Sequence, residues 1–568
     1  MNRTRQSLRR RRPTLVTVAA LLLTLTGLSP AAGGTAAAAE ARQANGGPIL
    51  PVTACADLAT DGATASDLSA VPDAPTRITS ATVVEATATV PAYCFVKGYV
   101  APQVNFELKL PLSTWQGRYL QQGCGGLCGY ISATTFPTAP DPACEAQAGG
   151  DFALAATDDG HTSPGPFSAE GWGQDRQLRI DFGYRAVHVV SVAAKAVMKE
   201  YYGTPPRYSY FNGCSDGGRE GLMEAQRYPE DFDGIIAGAP AAYMPFLASE
   251  HTAWVARANT GADGRPVLTA DKLPGLHSAV LTACDGDDGL VDGQIDDPRT
   301  CDFDPASIQC PTGVDRTDCL TPAQVTAAQK LYAPPTDENG QLLYPGREEP
   351  GSEISWAGPP VPWITAPPGT PTFAPVTADN YLRYLAFPVG QPGVPLADWE
   401  FTSQNFAELL PEQRTIAALD PDLSEFRDAG GKLILYHGWA DTLIPPTGTT
   451  NYYRAVQGTM GGPAATNRFA RLFSSPASTT ARGAGQDPTT PTWSTNWSGG
   501  PSEERHPRRS SPPGPKPTAT PPAPGPCTPI PSSPGTRAPA ASTTPPTSPR
   551  RRRLPGPTTT STGSATTC

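Results

Sequence analysis

The spacing of hydrophobic and polar residues changes along the chain. Over residues 48–244, helix-like and strand-like runs alternate: apolar residues line one helical face of Ala186–Tyr202, and the short apolar run Tyr208–Phe211 follows. Strands that alternate with helices favour a parallel sheet covered by helices. The pattern therefore predicts an α/β fold for this part of the chain.

Residues 245–428 break this alternation. They are rich in Pro and Gly, and the stretch is too long for an ordinary loop, so we interpret it as an inserted lid domain. The run GGKLILY at 430–436 then has the character of a buried core strand, so residues 429–473 are predicted to complete the domain that residues 48–244 begin. The lid aromatics that offer apolar walls to a ligand are Trp356, Trp363, Phe373 and Trp399.

The two ends of the chain differ in composition from a folded core. Residues 1–39 combine a basic start, an apolar run and an Ala-rich end, the pattern of a signal peptide, and both the Sec and the twin-arginine routes suit it. The apolar run is short for a membrane span, so we expect a secreted, extracellular protein with no membrane partner. Residues 474–568 form a low-complexity segment that is typical of a disordered tail.

Cysteine content and net charge give further information on the compartment and the partners of the protein. Twelve cysteines in an exported chain predict disulfides, and the net charge of −10 argues against a nucleic-acid partner. The pairing of Cys124, Cys128 and Cys144 stays open. The pairs that the spacing suggests are Cys55–Cys94, Cys284–Cys301 and Cys310–Cys319.

A glycine-flanked serine follows the apolar run at 208–211. The segment Gly213-Cys214-Ser215-Asp216-Gly217 fits the G-x-S-x-G nucleophile elbow, a sharp strand-to-helix turn that leaves no room for neighbouring Cβ atoms. The strand before it and the helix-like run after it favour this interpretation over an ordinary tight turn. We therefore predict Ser215 as a nucleophile and the backbone N–H of Asp216 as an oxyanion donor.

The residues around this serine resemble the tannase and feruloyl esterase family. The resemblance rests on GCSDGGREG at 213–221, QQGCGGLCG at 121–129, TDDGH at 157–161 and YHGWAD at 436–441, and it covers roughly residues 53–473. It implies an α/β-hydrolase fold with a large inserted lid that acts on small-molecule esters of aromatic acids such as gallate or ferulate. In this family a His-Cys pair follows the catalytic acid, and its cysteine bonds the cysteine before the nucleophile.

The acid and a second oxyanion donor are predicted next. In this fold the chain order is nucleophile, acid, histidine, so Asp441, which follows a buried strand, is predicted as the acid, against the alternative that it only opens a turn. The resemblance places the turn at 123–126 after an early strand. That turn is expected to supply the second donor, from the N–H of Cys124 or of Gly125.

An acid- and glycine-rich loop lies in the predicted lid. DGDDGLVDGQI at 285–295 offers carboxylate and carbonyl oxygens in tight turns, as Ca²⁺ requires, although the spacing is not that of an EF-hand. Similar loops bind calcium in the family that the chain resembles, so we predict a structural Ca²⁺ rather than a solvated turn. The predicted ligands are the carboxylates of Asp285, Asp288 and Asp292 and the carbonyls of Leu290 and Gln294.

A suitable catalytic histidine is missing after Asp441. His506 lies between charged residues and proline, as in a solvated tail, and His437 and His161 are interpreted as structural residues. Loss of one member of a catalytic triad costs about 10⁴- to 10⁶-fold in rate. The chain as written is therefore predicted to be inactive or impaired.

A frameshift after Phe473 accounts for the missing histidine. With suitable third bases, the codons of residues 474–481 read one base earlier encode L-V-P-G-V-Y-H-C, which resembles the family's His-Cys motif and places the histidine at Thr480. The same shift over residues 489–512 permits an amphipathic helix and then a strand-like run. We therefore predict that residues 474–568 are out of frame.

Together with the resemblance, these residues predict a secreted serine esterase for esters of aromatic carboxylic acids. The alternative is a secreted protein without catalysis that binds aryl esters or plant-wall fragments. A peptidase of the same fold is disfavoured by the resemblance alone.

Overall fold

The described residues form one mixed sheet of nine strands. The computed structural model describes residues 47–59, 68–131, 150–358, 361–367 and 370–476. The predicted signal peptide, the position Thr480 and residues 477–568 of the predicted low-complexity segment lie outside these residues. The first residues of that segment, Ser474 and Ser475, are described and end the last strand of the sheet. The strands are β1 (Thr76–Val84), β2 (Tyr93–Val100), β3 (Val104–Pro111), β4 (Arg118–Gln122), β5 (Phe152–Thr157), β6 (Tyr208–Cys214), β7 (Gly234–Gly238), β8 (Lys432–Gly438) and β9 (Ala470–Ser475).

The order of the strands brings distant parts of the chain to one edge. The sheet runs β1-β2-β3-β5-β4-β6-β7-β8-β9. Strands β1, β2 and β3 pair antiparallel, as do β3 and β5, whereas all neighbours from β5 to β9 are parallel. Since the parallel strands all end at the same side of the sheet, the loops after β4, β5, β6, β8 and β9 meet at the carboxyl ends of the strands. The predicted α/β class is confirmed.

Helices cover the sheet and also form part of the segment between β7 and β8. None of the helices in the described residues is long and apolar enough to cross a membrane. The α-helices are α1 (Arg176–Ile180), α2 (Ala186–Tyr202), α3 (Asp216–Arg227), α4 (Met244–Phe246), α5 (Thr252–Ala258), α6 (Leu273–Cys284), α7 (Pro322–Leu331), α8 (Phe373–Tyr384), α9 (Ser403–Ile416), α10 (Ser424–Asp428), α11 (Pro446–Thr459) and α12 (Pro463–Thr466). Single π-helical turns occupy Asp181–Arg185 and Leu247–His251. Short 3₁₀ turns occupy Cys55–Ala59, Leu68–Ala70, Ala270–Lys272, Pro298–Thr300, Pro305–Ile308, Glu353–Ala357 and Leu396–Asp398.

The main core lies between the sheet and the helices packed against it. On the predicted amphipathic helix α2, Val190, Ala193 and Val197 are fully buried, because they share the face that covers β2, β3 and β5. The helix ends at Gly203, whose φ of 72° is the left-handed conformation that a residue without Cβ adopts at low cost. Helix α3 packs against β6 and β7, directly behind the residue that follows β6.

The segment between β7 and β8 contributes no strand to the sheet within the described residues. It packs on the core through an apolar cluster that joins Leu127 and Phe182 to Tyr381 and Leu409. Beside this cluster the buried guanidinium of Arg179 donates to the Tyr384 carbonyl at 2.8 Å. This is the arrangement expected of an inserted lid, while its boundaries at residues 245 and 428 stay predictions.

Four disulfides are present among the described residues. The three pairs predicted from spacing are confirmed: Cys55–Cys94, Cys284–Cys301 and Cys310–Cys319. The fourth joins Cys124 to Cys128 and closes the turn after β4. Spacing alone had left this pair open, since Cys124, Cys128 and Cys144 all follow the same strand.

Candidate active site

Ser215 occupies the turn between β6 and α3. Its φ of 66° and ψ of −118° hold a non-glycine residue in a strained backbone region, as a nucleophile elbow requires. The turn is fixed from the neighbouring strand, because the Ser215 N–H donates to the Gly238 carbonyl at 3.0 Å and the Ser215 carbonyl accepts from the Ala241 N–H at 3.0 Å. The half-buried serine therefore stands at the carboxyl edge of the sheet.

The glycines around the serine permit backbone segments to approach each other closely. A Cβ on Gly213 would lie 2.3 Å from the Gly217 carbonyl oxygen, and one on Gly218 would lie 2.3 Å from the Gly238 carbonyl oxygen. Both distances are below those of real carbon contacts, and both opposing atoms are backbone. The sequence pattern G-x-S-x-G-G thus reflects steric necessity at this turn.

The backbone N–H groups of Asp216, Gly125 and Gly126 have no acceptor among the described residues. The N–H of Cys124, in contrast, donates to Glu220 Oε2 at 3.0 Å, and its carbonyl accepts from the Gly217 N–H at 3.0 Å. A Cβ on Gly125 would meet no atom within 4 Å apart from its chain neighbours. Of the two donors that the sequence left open in this turn, the geometry favours Gly125.

Asp441 follows β8 at the same edge as Ser215. The β6-β7-β8 register aligns Cys214, Gly238 and Tyr436, so the loops after β6 and β8 are two strand spacings, about 10 Å, apart. The carboxylate is buried, and its Oδ1 accepts the N–H groups of Leu443 and Ile444, each at 3.0 Å. These bonds hold the carboxylate in a fixed orientation.

His437 is bound to the loop of Asp441 at both ring nitrogens. Nε2 lies 3.1 Å from Asp441 Oδ2 and 2.8 Å from the Ile444 carbonyl, and since both are acceptors, Nε2 carries the proton. Nδ1 lies 2.8 Å from Thr449 Oγ1, whose hydroxyl can donate to it. Neither nitrogen is left to accept a proton from Ser215.

His161 packs behind the turn at 123–126. Its Nε2 lies 2.9 Å from the Leu127 carbonyl, and its ring stacks on Trp172 with 3.9 Å between centroids. Burial lowers the pKa of His161 below its ordinary value, so the ring is neutral and braces the loop.

The chain that follows β9 begins at the edge where Ser215 and Asp441 lie. Ser475, at the end of β9, pairs with Gly438, and its carbonyl accepts from the Trp439 N–H at 2.8 Å. Within the described residues no group forms a hydrogen bond with the Ser215 hydroxyl. The position expected for the histidine, Thr480, lies five residues beyond Ser475 and outside the described residues.

In the acidic loop of the lid, carboxylates accept hydrogen bonds from the loop's own backbone. Asp285 accepts the Gly293 N–H at 3.1 Å, and Asp288 accepts the Leu290 N–H at 2.8 Å. Burial, together with the charges of Asp288 and Asp292, raises the pKa of Asp296, an acid that the sequence interpretation left out. No Lys or Arg of the described residues forms an ion pair with Asp288, Asp292 or Asp296. The carboxylates of this loop do not form a group in the described residues whose ligand atoms all lie within 4.8 Å of one another, so a calcium site here stays a prediction from the oxygen-rich sequence.

A second acidic group lies buried beneath the Ser215 turn. One donor atom from each member lies within 4.8 Å of all the others, but Cys124 and Cys128 are joined in a disulfide and offer no thiolate to a metal ion. The group already contains a cation, because the Arg219 guanidinium pairs with the Asp216 carboxylate through two contacts of 2.5 and 2.9 Å. The members are Cys124, Cys128, Asp159, Asp216 and Glu220. The sequence analysis gave no role to Asp159 and Glu220, although both lie in the quoted motifs TDDGH and GCSDGGREG.

The lid aromatics are placed differently from the expectation that they form ligand walls. Trp356, Trp363 and Trp399 are 0%, 2% and 1% exposed, because they pack inside the lid. Phe373 is 36% exposed, and its ring centroid lies 6.4 Å from that of Phe167. Periodicity is weak in this segment, so the sequence could not separate core aromatics from surface ones.

The fold and the elbow turn define an α/β-hydrolase, and the comparisons with known proteins agree. The family model described as tannase and feruloyl esterase matches residues 87–495. A mono(2-hydroxyethyl) terephthalate hydrolase from Piscinibacter sakaiensis is 32% identical over 451 residues, covering 68% of this chain and 72% of that protein. A probable feruloyl esterase B-2 from Aspergillus flavus is 33% identical over 373 residues, covering 65% and 66%. The crystal structure of feruloyl esterase B from Aspergillus oryzae superposes with a TM-score of 0.60 at 29% identity, covering 72% of this chain and 80% of that one.

The chain belongs to the tannase and feruloyl esterase family. It is thus a carboxylic ester hydrolase by family, and the resemblance predicted from its motifs is confirmed.

Proposed function

We propose that this protein is an exported serine esterase that hydrolyses esters of aromatic carboxylic acids, with Ser215 as its nucleophile. The observation that carries the proposal is the strained turn of Ser215 together with the N–H groups of Asp216 and Gly125, which have no acceptor in the part of the chain that the structure describes. The two donors lie in chain segments that are hydrogen-bonded to each other through the Gly217 N–H and the Cys124 carbonyl. Together they would stabilise the negative oxygen of a tetrahedral intermediate. The disulfides support export, since they persist in oxidising compartments.

The reaction proceeds by acyl transfer in two steps. The Ser215 hydroxyl attacks the ester carbonyl and gives its proton to a histidine, which passes it to the departing alcohol. Water then attacks the acyl-enzyme, and the carboxylic acid leaves as the serine recovers its proton. Asp441 would orient the histidine through an oxygen of its buried carboxylate, and the N–H groups of Asp216 and Gly125 would hold the oxyanion in both steps.

An aromatic acyl group is the substrate class that we propose. The names of two relatives, a mono(2-hydroxyethyl) terephthalate hydrolase and a probable feruloyl esterase, share an aromatic carboxylic acid. Phe167 supports this choice, because it directly follows Pro166, whose carbonyl accepts at 2.7 Å the N–H of Leu127, the residue after the predicted oxyanion turn. Together with the exposed ring of Phe373, Phe167 would provide an apolar wall for an aryl group.

Calcium would act as a structural ion in the lid. Asp285, Asp288 and Asp292 would hold it with the carbonyls of Leu290 and Gln294, in a loop that the Cys284–Cys301 disulfide closes. When bound, the ion would neutralise carboxylates that otherwise repel one another, and it takes no part in ester cleavage.

The chain as written is proposed to be impaired. The family's histidine is expected at Thr480 only in the shifted frame, and the nearest described candidate, His437, is held by Asp441 and Ile444. We call the protein with the shifted frame restored after Phe473 the frame-restored chain. It is the form in which the proposed activity should be measured.

Labelling with a serine-directed fluorophosphonate tests the proposal. In the frame-restored chain the label should map to Ser215 and vanish in Ser215→Ala, while the exposed lid variant Ser307→Ala should react like the parent. Label on another residue with Ser215 unmodified would refute the assignment. Tight binding of an aryl ester without turnover or labelling would instead support the non-catalytic binding protein.

A further inference from the structure

Glu220 reaches from α3 to the turn that follows β4. Its Oε2 accepts the Cys124 N–H at 3.0 Å, and a Cβ on Gly123 would lie 2.6 Å from the same oxygen. The side chain is 3% exposed, so solvent does not compete for this bond. Glu220 therefore fixes the backbone of the turn at its first two residues.

The bond to Glu220 decides which donor of the turn stays available. The Cys124 N–H is engaged by Glu220, and the Cys124 carbonyl is engaged by the Gly217 N–H at 3.0 Å. The Gly125 N–H belongs to the same peptide group as the Cys124 carbonyl and points away from it, so the bond from Gly217 to that carbonyl also sets the direction of the Gly125 N–H. Since α3 also carries Asp216 at its start, one helix sets the positions of both proposed oxyanion donors.

The buried cluster around Glu220 contains three carboxyl groups, those of Asp159, Asp216 and Glu220, but only one guanidinium, that of Arg219. Arg219 pairs with Asp216, whereas no Lys or Arg of the described residues forms an ion pair with Asp159 or Glu220, and a carboxylate oxygen of Asp159 lies within 4.8 Å of one of Glu220. Two buried carboxyl groups at this distance repel each other when both are ionised, so one of them is expected to keep a proton and share it with the other. Burial and the charge of Asp216 raise the pKa of Glu220 to about 7, and burial raises that of Asp159, so the pair keeps a proton near neutral pH.

We propose that Glu220 is a positioning residue for the oxyanion turn and that a proton shared with Asp159 holds it there. The proposal rests on the proposed function of Ser215. Loss of the shared proton as the pH rises would place two adjacent carboxylates in a buried site, and their repulsion would release the Cys124 N–H and misalign Gly125. The charged and titratable groups that face Glu220 or its partners are Asp159 and His161 after β5, and Asp216, Arg219 and Glu224 on α3.

Four variants of the full-length frame-restored chain separate this role from general stabilisation. Glu220→Ala removes the acceptor, whereas Glu220→Gln keeps an acceptor for Cys124 and a donor for Asp159 that does not titrate. Asp159→Asn likewise replaces the shared proton with an amide donor. Glu224→Gln is the matched control, because this carboxyl is equally buried one turn further along α3.

Amide hydrogen exchange reports on the turn without requiring activity. The peptide that contains the Cys124 N–H should be protected at pH 6 in the parent, in Glu220→Gln and in Glu224→Gln, and should exchange at least tenfold faster in Glu220→Ala. In the parent the protection should fall by pH 9, while Glu220→Gln should retain it. Equal protection in all variants and at both pH values would overturn the proposal.

The rate of ester hydrolysis reports how a displaced oxyanion turn affects catalysis. Glu220→Ala should lower kcat about 10- to 100-fold with KM within about twofold, since a displaced oxyanion donor acts on the transition state. Glu220→Gln and Asp159→Asn should restore kcat and remove the decline at alkaline pH. A loss in Glu220→Gln as large as in Glu220→Ala would overturn the proposal. Failure of Ser215 to label in the parent would instead refute the proposed function and leave the exchange result to decide the role of Glu220.

Discussion

The imidazole of His437 donates through Nε2 toward the carboxylate of Asp441, 3.1 Å away, while its Nδ1 faces Thr449. The nearest histidine in sequence to the predicted acid is thus a support for the acid loop. Its proton lies on the nitrogen that faces Asp441 and Ile444, and the other nitrogen is occupied, so the ring cannot accept the proton of a nucleophile without breaking these contacts.

Replacing His437 should therefore affect stability more than chemistry. We expect His437→Gln in the frame-restored chain to lower Tm by several degrees and kcat by less than about 10-fold, because an amide can still donate to Asp441. Thermal melts and aryl-ester kinetics on the same preparation check this. A fall of about 10⁴-fold or more with an intact fold would make His437 the catalytic base.

Gly218 should tolerate no side chain. A Cβ there would lie 2.3 Å from the Gly238 carbonyl, so Gly218→Ala should destabilise the fold by roughly 2–3 kcal/mol or more and abolish fluorophosphonate labelling. Gly458 is the matched control, since it lies in α11 with open space around its Cα. Gly458→Ala should be neutral or stabilise by about 0.5–1 kcal/mol, because alanine is the better helix former. Similar melting temperatures for both variants would contradict the steric argument.

Glu250 should make the fold less stable as the pH rises. Burial raises its pKa from 4.5 to about 8, so between these values the folded protein keeps a proton that the unfolded chain releases. Glu250→Gln should therefore raise the free energy of unfolding by up to about 3 kcal/mol at pH 7, with the gain vanishing near pH 4. Calorimetry at both pH values checks this, with Glu425→Gln, an exposed site, as control. A gain of equal size at both pH values would show that the pKa of Glu250 is not the cause.

Calcium should support the lid rather than the reaction. Removal of calcium by a chelator should lower the Tm of the frame-restored chain, and Asp288→Ala should give the same loss with no further response to chelation. The kcat of the remaining folded enzyme should change little. Asp302→Ala, an exposed acid outside the loop, serves as control. If Tm responds to neither chelator nor Asp288→Ala, the loop is an ordinary turn.

Restoring the reading frame should restore both solubility and activity. Strand β9 is an edge of the sheet and pairs only with β8 among the described residues, so a following helix and strand are needed to cover it. The 568-residue chain should aggregate or show little esterase activity, whereas the frame-restored chain should be soluble and active. Alanine at position 480 of the frame-restored chain should then cost about 10⁴-fold or more in kcat. Hydrolysis of aryl esters by the chain as written at ordinary enzyme rates would show that the frameshift interpretation is wrong.

Local sequence determined the features that depend on a few adjacent residues. Ser215 was recognisable because an elbow turn requires glycine wherever a Cβ would strike backbone, and that requirement is written as G-x-S-x-G. Helix α2 was predicted with its observed bounds, because its apolar face repeats with the helical period and glycine follows its last residue. The short disulfides followed from the spacing of their cysteines in a chain read as exported.

Only the tertiary structure decided which hydrogen-bond donors and acceptors of distant segments bind each other. The choice of Gly125 over Cys124 depends on Glu220, which lies 96 residues from Cys124 and whose reach follows from the packing of α3. The state of His437 likewise depends on where Ile444 and Thr449 place their oxygens. In the lid, weak periodicity hid that the tryptophans are core, since burial there depends on contacts between segments far apart in the chain. Hydrogen bonds and burial of this kind are properties of the assembled sheet and lid, and no local pattern encodes them.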